Sequence, residues 1–339
     1  MQWHGSRTLV TGGASFIGSH LVDALVERGA RVRVVDNLSS GHFDNIRGHV
    51  EAGRVEFRQA NLADARVAAE AVDEIDVVFH LAADHGGRGY IDSHQVACAG
   101  NLVLDGIVFS ACRAAGVDKV VYASSGCVYP KHLQGDPRQE IYLAETMVGP
   151  PYEADDLYGW AKLMGEMTLR AAYAETGARA ACCRYFAVYG ERAHENHAII
   201  AMIARAFVQQ DPFLVWGTGE QIRSWTHVSD IVAGTLLAAG TIDDGSAVNL
   251  GATDRTRVID AAREVLRYTG HRAEIALLPD MPTGPLNRVP DIPLAQTRLG
   301  WPPSVAFASG LHRTIDWYFS SKNREIVQSS LPTLLTSRA

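Results

Sequence analysis

Tyr158 and Lys162 stand four residues apart, a spacing that puts a phenol and an ammonium on one face of a helix. Such a pair makes a tyrosinate base: a nearby cation lowers the phenol's pKa, and the tyrosine can then take a proton from a hydroxyl near neutral pH. Exposed helices carry the same pair often, so its weight comes from the stretch ahead of it. Residues 120–130, Val-Val-Tyr-Ala-Ser-Ser-Gly-Cys-Val-Tyr-Pro, read as an apolar strand that opens into hydroxyls and a thiol. Ser125 is placed to hold a substrate hydroxyl. Cys127 is a candidate acid/base, where a cysteine would otherwise be a small buried hydrophobe.

The elements that must position these groups begin with a strand over 7–11, the turn Gly12-Gly-Ala-Ser-Phe-Ile-Gly18 and an apolar-periodic helix behind it. Gly12 permits a tight turn, Gly18 lets helix and strand pack closely, and the helix N-terminus offers free N–H groups to a pyrophosphate. A second strand, 31–36, ends in Asp36, where a carboxylate accepts from a ribose 2'-hydroxyl and repels a 2'-phosphate, favouring NAD over NADP. The alternation continues with strands at 55–59, 77–81, 119–123 and 178–185 and helices at 63–71, 95–115 and 156–173, a pattern that predicts a parallel sheet covered on both faces. Ligands bind such sheets at the carboxyl ends of the strands. Those ends carry Gly12, Asp36, Asn61, Ala82, Ala83 and Ser125. Ser15, Phe16 and Ile17 in the turn, with Asn37, Leu62 and Leu81, complete the expected cofactor site.

After Gly190 the rhythm changes. Helices are expected at 197–209 and 228–240, with mixed strand and turn signals between them. The expected domains are 1–188 for the dinucleotide, with a segment near 225–250 returning to it, 189–328 for the substrate, and a loosely held tail at 329–339. A chain of 339 residues that is 47% hydrophobic can bury a large core. Its net charge of -7, without a basic run, argues against nucleic acid as a partner. No apolar run reads as a membrane span and the start does not read as a signal peptide, so a cytoplasmic protein is expected. The 5 cysteines lack zinc-ligand spacing, and neither a metal nor a disulfide framework is expected.

These motifs, in this order, resemble the extended short-chain dehydrogenase/reductases: the glycine turn, Val-Asp-Asn-Leu-Ser-Ser-Gly at 35–41, His-Leu-Ala-Ala at 80–83, Ser124-Ser125, Tyr158 with Lys162, and Trp-Gly-Thr-Gly-Glu-Gln-Ile-Arg at 216–223. The resemblance implies a doubly wound Rossmann fold with a smaller mixed α/β C-terminal lobe, bound NAD, and a nucleotide-diphosphate sugar whose diphosphate meets Arg223 and Arg288. Within that family, the stretches 82–91 and 123–130 resemble GDP-mannose 3,5-epimerase. There a Gly-Gly-x-Gly loop flanks the sugar, implicating Gly87 and Gly89, and the cysteine is an acid/base; Gln221 is a further implied substrate contact. The implied reaction oxidises C4, exchanges the acidified C3 or C5 protons through Cys127 and a second group, and reduces C4 again. Simple C4 epimerisation of a UDP- or dTDP-sugar, and a non-catalytic NAD-binding regulator, are the alternatives. The resemblance also implies a homodimer through the helices at 95–115 and 156–173.

Three departures matter. Ser15 replaces the middle glycine of the turn, and Ala187 stands where relatives place an asparagine that touches the substrate. No lysine lies between Lys162 and Lys322 to act as the second acid/base, so His197, or His194, is expected to serve, since imidazole titrates near neutrality.

Overall fold

A computed structural model describes residues 2–336. Strands β1 (Arg7–Thr11), β2 (Arg31–Asp36), β3 (Val55–Gln59), β4 (Val77–His80), β5 (Lys119–Ser125) and β6 (Arg179–Tyr185) alternate with α1 (Phe16–Glu27), α2 (Arg47–Glu51), α3 (Ala65–Val72), α4 (Arg88–Ser93), α5 (Gln95–Ala99), α6 (Asn101–Ala115) and α7 (Asp156–Thr176). The second half contributes β7 (Val188–Tyr189), α8 (Ala198–Phe207), β8 (Phe213–Trp216), β9 (Ile222–Arg223), β10 (Thr226–His227), α9 (Val228–Thr241) and β11 (Asp244–Leu250). Beyond these come β12 (Thr256–Arg257), α10 (Val258–Thr269), β13 (Ile275–Leu278), β14 (Asn287–Arg288), α11 (Pro293–Leu299), α12 (Phe307–Ser321) and α13 (Arg324–Leu334).

The main sheet has seven strands in the order β11-β6-β5-β4-β1-β2-β3, paired in parallel throughout. The chain winds outward from β1 to β3, then returns to the other side of β1 as β4, and this reversal opens a crevice at the carboxyl ends. Side chains alternate across the sheet with a period of two. Val10, Phe79, Val121 and Cys183 join the core under α1 and α9, while Leu9, Val78, Val120 and Cys182 join the core under α3 and α6. The expected doubly wound α/β fold is the observed one. In the second half, β9 pairs with β12 and β14 in one small sheet, and β8 pairs with β13 in another.

Three expectations need correction. The helix over 95–115 is two segments that meet at Gly100, whose backbone stays near helical values (φ -57, ψ -20). That 21-residue run is, by length and composition, apolar enough to cross a bilayer. One side of it meets protein: α6 packs on α3 and α7 and buries the polar side chains of Asn101 and Asp105, while Val96, Leu102 and Val103 stay exposed. Finally, the tail is not loose as far as it is described. The Asn323 side chain accepts from Ile326 N at 3.1 Å to cap α13, whose Val327 and Leu331 bury into the main core. Residues 337–339 lie outside the described part.

Candidate active site

A cleft of about 570 Å³ runs along the carboxyl ends of the strands, and every residue expected to hold the dinucleotide lines it. Gly12 takes φ +69, and a β-carbon there would sit 3.0 Å from Ala82 N, while one on Gly18 would collide with Gly12 O. Only glycine closes this turn tightly enough to bring the N-terminus of α1 to the cleft. The Ser15 hydroxyl donates to Gly12 O at 2.7 Å and braces the turn from within. Asp36, at the end of β2, accepts from Ala14 N at 3.0 Å and Leu38 N at 2.8 Å. The carboxylate is thereby fixed at the cleft wall, and an anionic 2'-phosphate would meet a fixed like charge. The turn, the helix terminus and this acid fit NAD.

The catalytic half is set where α7 presses on the loop after β5. Gly159 makes the approach possible, because a β-carbon would collide with Cys127 O; Asp155 N then donates to that carbonyl at 2.8 Å. The result is a buried cluster of Cys127 and Tyr158 with Ile91 and Cys98. The Ser125 hydroxyl accepts from Cys127 N at 3.1 Å.

The surroundings of Tyr158, taken by themselves, work against the expected tyrosinate. Burial, followed by Cys127, Cys98 and Asp105, pushes the Tyr158 phenol well above its ordinary value, and the Ser125 side chain only opposes this. Lys162 is itself fully buried, and burial pulls it below the usual ammonium range. Its Nζ stands 5.9 Å from the Tyr158 ring centroid but 4.6 Å from that of Tyr122. A bound oxidised nicotinamide supplies a hydride acceptor and a positive charge.

Both arginines expected at the diphosphate line the cleft. Arg288 donates to Cys127 Sγ at 3.1 Å, Asp155 Oδ2 at 2.7 Å and Gln134 Oε1 at 2.7 Å. Arg223 donates to Ile222 O and Thr283 O. Burial, then Arg288 and Arg88, pull its guanidinium down to about 9. Three guanidiniums thus crowd one wall. Asp155 answers Arg88 and Arg288, and Asp92 and Asp156 also answer Arg88. Arg223, bonded to two backbone carbonyls, is the one whose crowding an anionic ligand would relieve.

Gly87 lines the cleft, but Gly89 and Gln221 do not. Gly89 lies against the Trp216 ring. Gln221 donates to Trp216 O at 3.0 Å and lines a side chamber of about 170 Å³ shared with Arg88, Arg205 and Arg223. His197 and His194 both line the main cleft. Burial, then His194, pull His197 down to about 4, so it stays neutral where titration was expected.

Sequence reasoning missed His85, whose ring lies 5.1 Å from Tyr158 and 5.5 Å from His197, centroid to centroid, on the cleft wall. It also missed Arg88, which bonds Asp155 at 2.9 Å and Asp156 at 2.6 Å. The Gly-Gly-Arg-Gly loop was noticed, but nothing local says that its arginine reaches the N-terminus of α7, whose residues come 67 and 68 positions later.

Comparison with known proteins agrees with this geometry. The chain is 32% identical over 340 residues to the UDP-N-acetyl-alpha-D-glucosaminuronate decarboxylase of Bacillus cytotoxicus, covering 94% of the chain and 99% of that protein. It is 28% identical over 328 residues to GDP-mannose 3,5-epimerase 1 of Oryza sativa subsp. indica, covering 95% of the chain and 84% of that protein. Among solved structures, UDP-glucuronic acid 4-epimerase from Bacillus cereus, in complex with UDP-glucuronic acid and NAD, superposes with a TM-score of 0.81 at 26% identity, covering 92% of the chain and 98% of the other. The model of the NAD dependent epimerase/dehydratase family matches residues 8–251. Since that match runs from the first strand of the sheet to its last, the protein belongs to this family of enzymes and its cofactor is NAD.

Proposed function

We propose that the protein epimerises a nucleotide-diphosphate sugar through a transient 4-keto intermediate, exchanging protons at C3 or C5 in the manner of GDP-mannose 3,5-epimerase. The observation that carries this reading is the Cys127 sulfur, buried against Tyr158 and bonded by Arg288 in the wall of the cleft. NAD held in the cleft would supply the acceptor for the C4 hydride; Ser125 orients the C4 hydroxyl, Tyr158 takes its proton, and the ketone so formed acidifies the neighbouring carbons. Cys127 then removes or returns one of those protons, its sulfur held by the Arg288 guanidinium. The proton returns to the C4 oxygen from Tyr158 as the ketone is reduced. Arg223, crowded by two other guanidiniums, suits the diphosphate. A 28% identical GDP-mannose 3,5-epimerase supports the same choice.

Incubation with GDP-mannose in deuterated water tests this directly. Deuterium is expected at C3 or C5 of the recovered sugar. In Cys127→Ala that exchange is expected to fall by 10²-fold or more, on the order of a lost general acid/base, while NADH still forms. Deuterium absent from the wild-type product, with C4 inverted, establishes the second reading, simple 4-epimerisation. That reading is favoured by His197, which is held neutral by burial where a second titrating group was expected. UDP- and dTDP-sugars in the same assay separate the nucleotides.

A further inference from the structure

Behind Lys162 lies a polar network that the proposed reaction has not used. Asp105 of α6 is 3% exposed and His80 of β4 is 0% exposed. The Asp105 carboxylate meets His80 Nε2 at 3.0 Å and accepts a short hydrogen bond from the Tyr122 hydroxyl. His80 Nδ1 lies 2.8 Å from Thr11 Oγ1, which in turn accepts from the backbone N–H groups of Leu81 at 3.0 Å and Ala82 at 3.1 Å. With its lone pairs so occupied, the Thr11 hydroxyl donates to Nδ1, and this fixes the imidazole proton on Nε2, facing the carboxylate. Lys162 sits over the ring of the same Tyr122. Gly165 lets α7 come that close, since a β-carbon would stand 2.6 Å from the Tyr122 hydroxyl.

We infer that Asp105 is a positioning residue for the reaction: a buried counter-charge that keeps Lys162 cationic and ties it, through Tyr122, His80 and Thr11, to the strand ends flanking the cleft. This rests on Tyr158 acting as base beside Lys162. An ammonium buried this deeply loses its proton unless a negative charge faces it, and Asp105 is the foremost group opposing burial at Lys162. The other titratable groups facing Lys162 are Cys127, Cys182 and Glu166 with Tyr122 and Tyr158. Those facing Tyr158 are Cys127, Cys98 and Asp105, with His85 and Lys162 against its ring.

Removing one negative charge lowers the pKa of every acid that faces it. In the NAD-loaded Asp105→Asn enzyme, both limbs of the pH profile for NADH formation, read with GDP-mannose and with UDP-glucose, are therefore expected to move to lower pH together, by about one unit. The acid limb moves because Tyr158 loses its proton more readily, and the alkaline limb because Lys162 does. Asp105→Glu, which restores the charge, is expected to bring both limbs back. A slower enzyme whose limbs stay in place would make Asp105 a packing residue and overturn the inference. So would loss of the fold in both Asp105→Asn and Asp105→Thr. A wild-type enzyme that forms no NADH with either sugar, and turns neither over, instead removes the Tyr158 reading, and the inference with it.

Discussion

Cys127 and Tyr158 show how one residue's environment sets its chemistry. The phenol is held above its ordinary value by burial, so the base must be unmasked, and NADH formation is expected to rise with pH from about 6 toward 9 in a stopped-flow or endpoint assay. Tyr158→Phe is expected to reduce it by 10²- to 10⁴-fold, the range for a lost general base. His197 makes the opposite prediction. Since it is pulled down to about 4, His197→Asn is expected to leave the profile between about pH 5.5 and 8 unmoved, whatever it does to the rate. A limb that disappears in that variant would return His197 to the acid/base role. The identities of Tyr158, Lys162, Ser125 and Cys127 were legible because their spacing is local. The state of His197 was not, because its burial is contributed by elements far along the chain.

At the scale of elements, the glycine turn and the N-terminus of α7 carry the site. Gly18→Ala would drive a methyl into Gly12 O; it is expected to strip the purified protein of bound NAD, which release by acid and absorbance would measure. At α7, the N-cap residue Asp155 accepts from Arg288 and Arg88. Burial raises its pKa, but Arg288 and then Arg88 outweigh burial and hold the carboxyl down to about 2. Its folded value lies below the unfolded value of about 3.9, so the stabilisation is fully present above about pH 4 and is lost as pH falls through about 2. Asp155→Asn is expected to cost on the order of 2 kcal/mol near neutrality, with a melting-temperature gap to the wild type that narrows steadily below about pH 4. The turn was readable from seven consecutive residues. The Arg288 contacts were not, since they join positions 133 and 161 residues apart.

Over the whole molecule, α5, α6 and α7 leave apolar side chains uncovered, with Val96 86% and Val103 61% exposed and Trp160 and Met164 exposed as well. A second copy of the chain is expected to cover this face, as the sequence resemblance implied. Light scattering of Val103→Glu should then report a monomer where the parent reports a dimer, and equal masses would remove the expectation. The wider architecture also shows what each source decided. Alternating strands and helices, the glycine turn and Asp36 determined the parallel sheet and the NAD site from sequence alone, because short-range spacing and period-two burial suffice to specify them. Only the tertiary structure decided that Arg288 meets the thiol, that His85 stands beside Tyr158, and that Asp105 meets His80 and Tyr122. Each of those is a contact between distant segments in a dry interior, where neighbours in space, and the water they exclude, set charge and orientation.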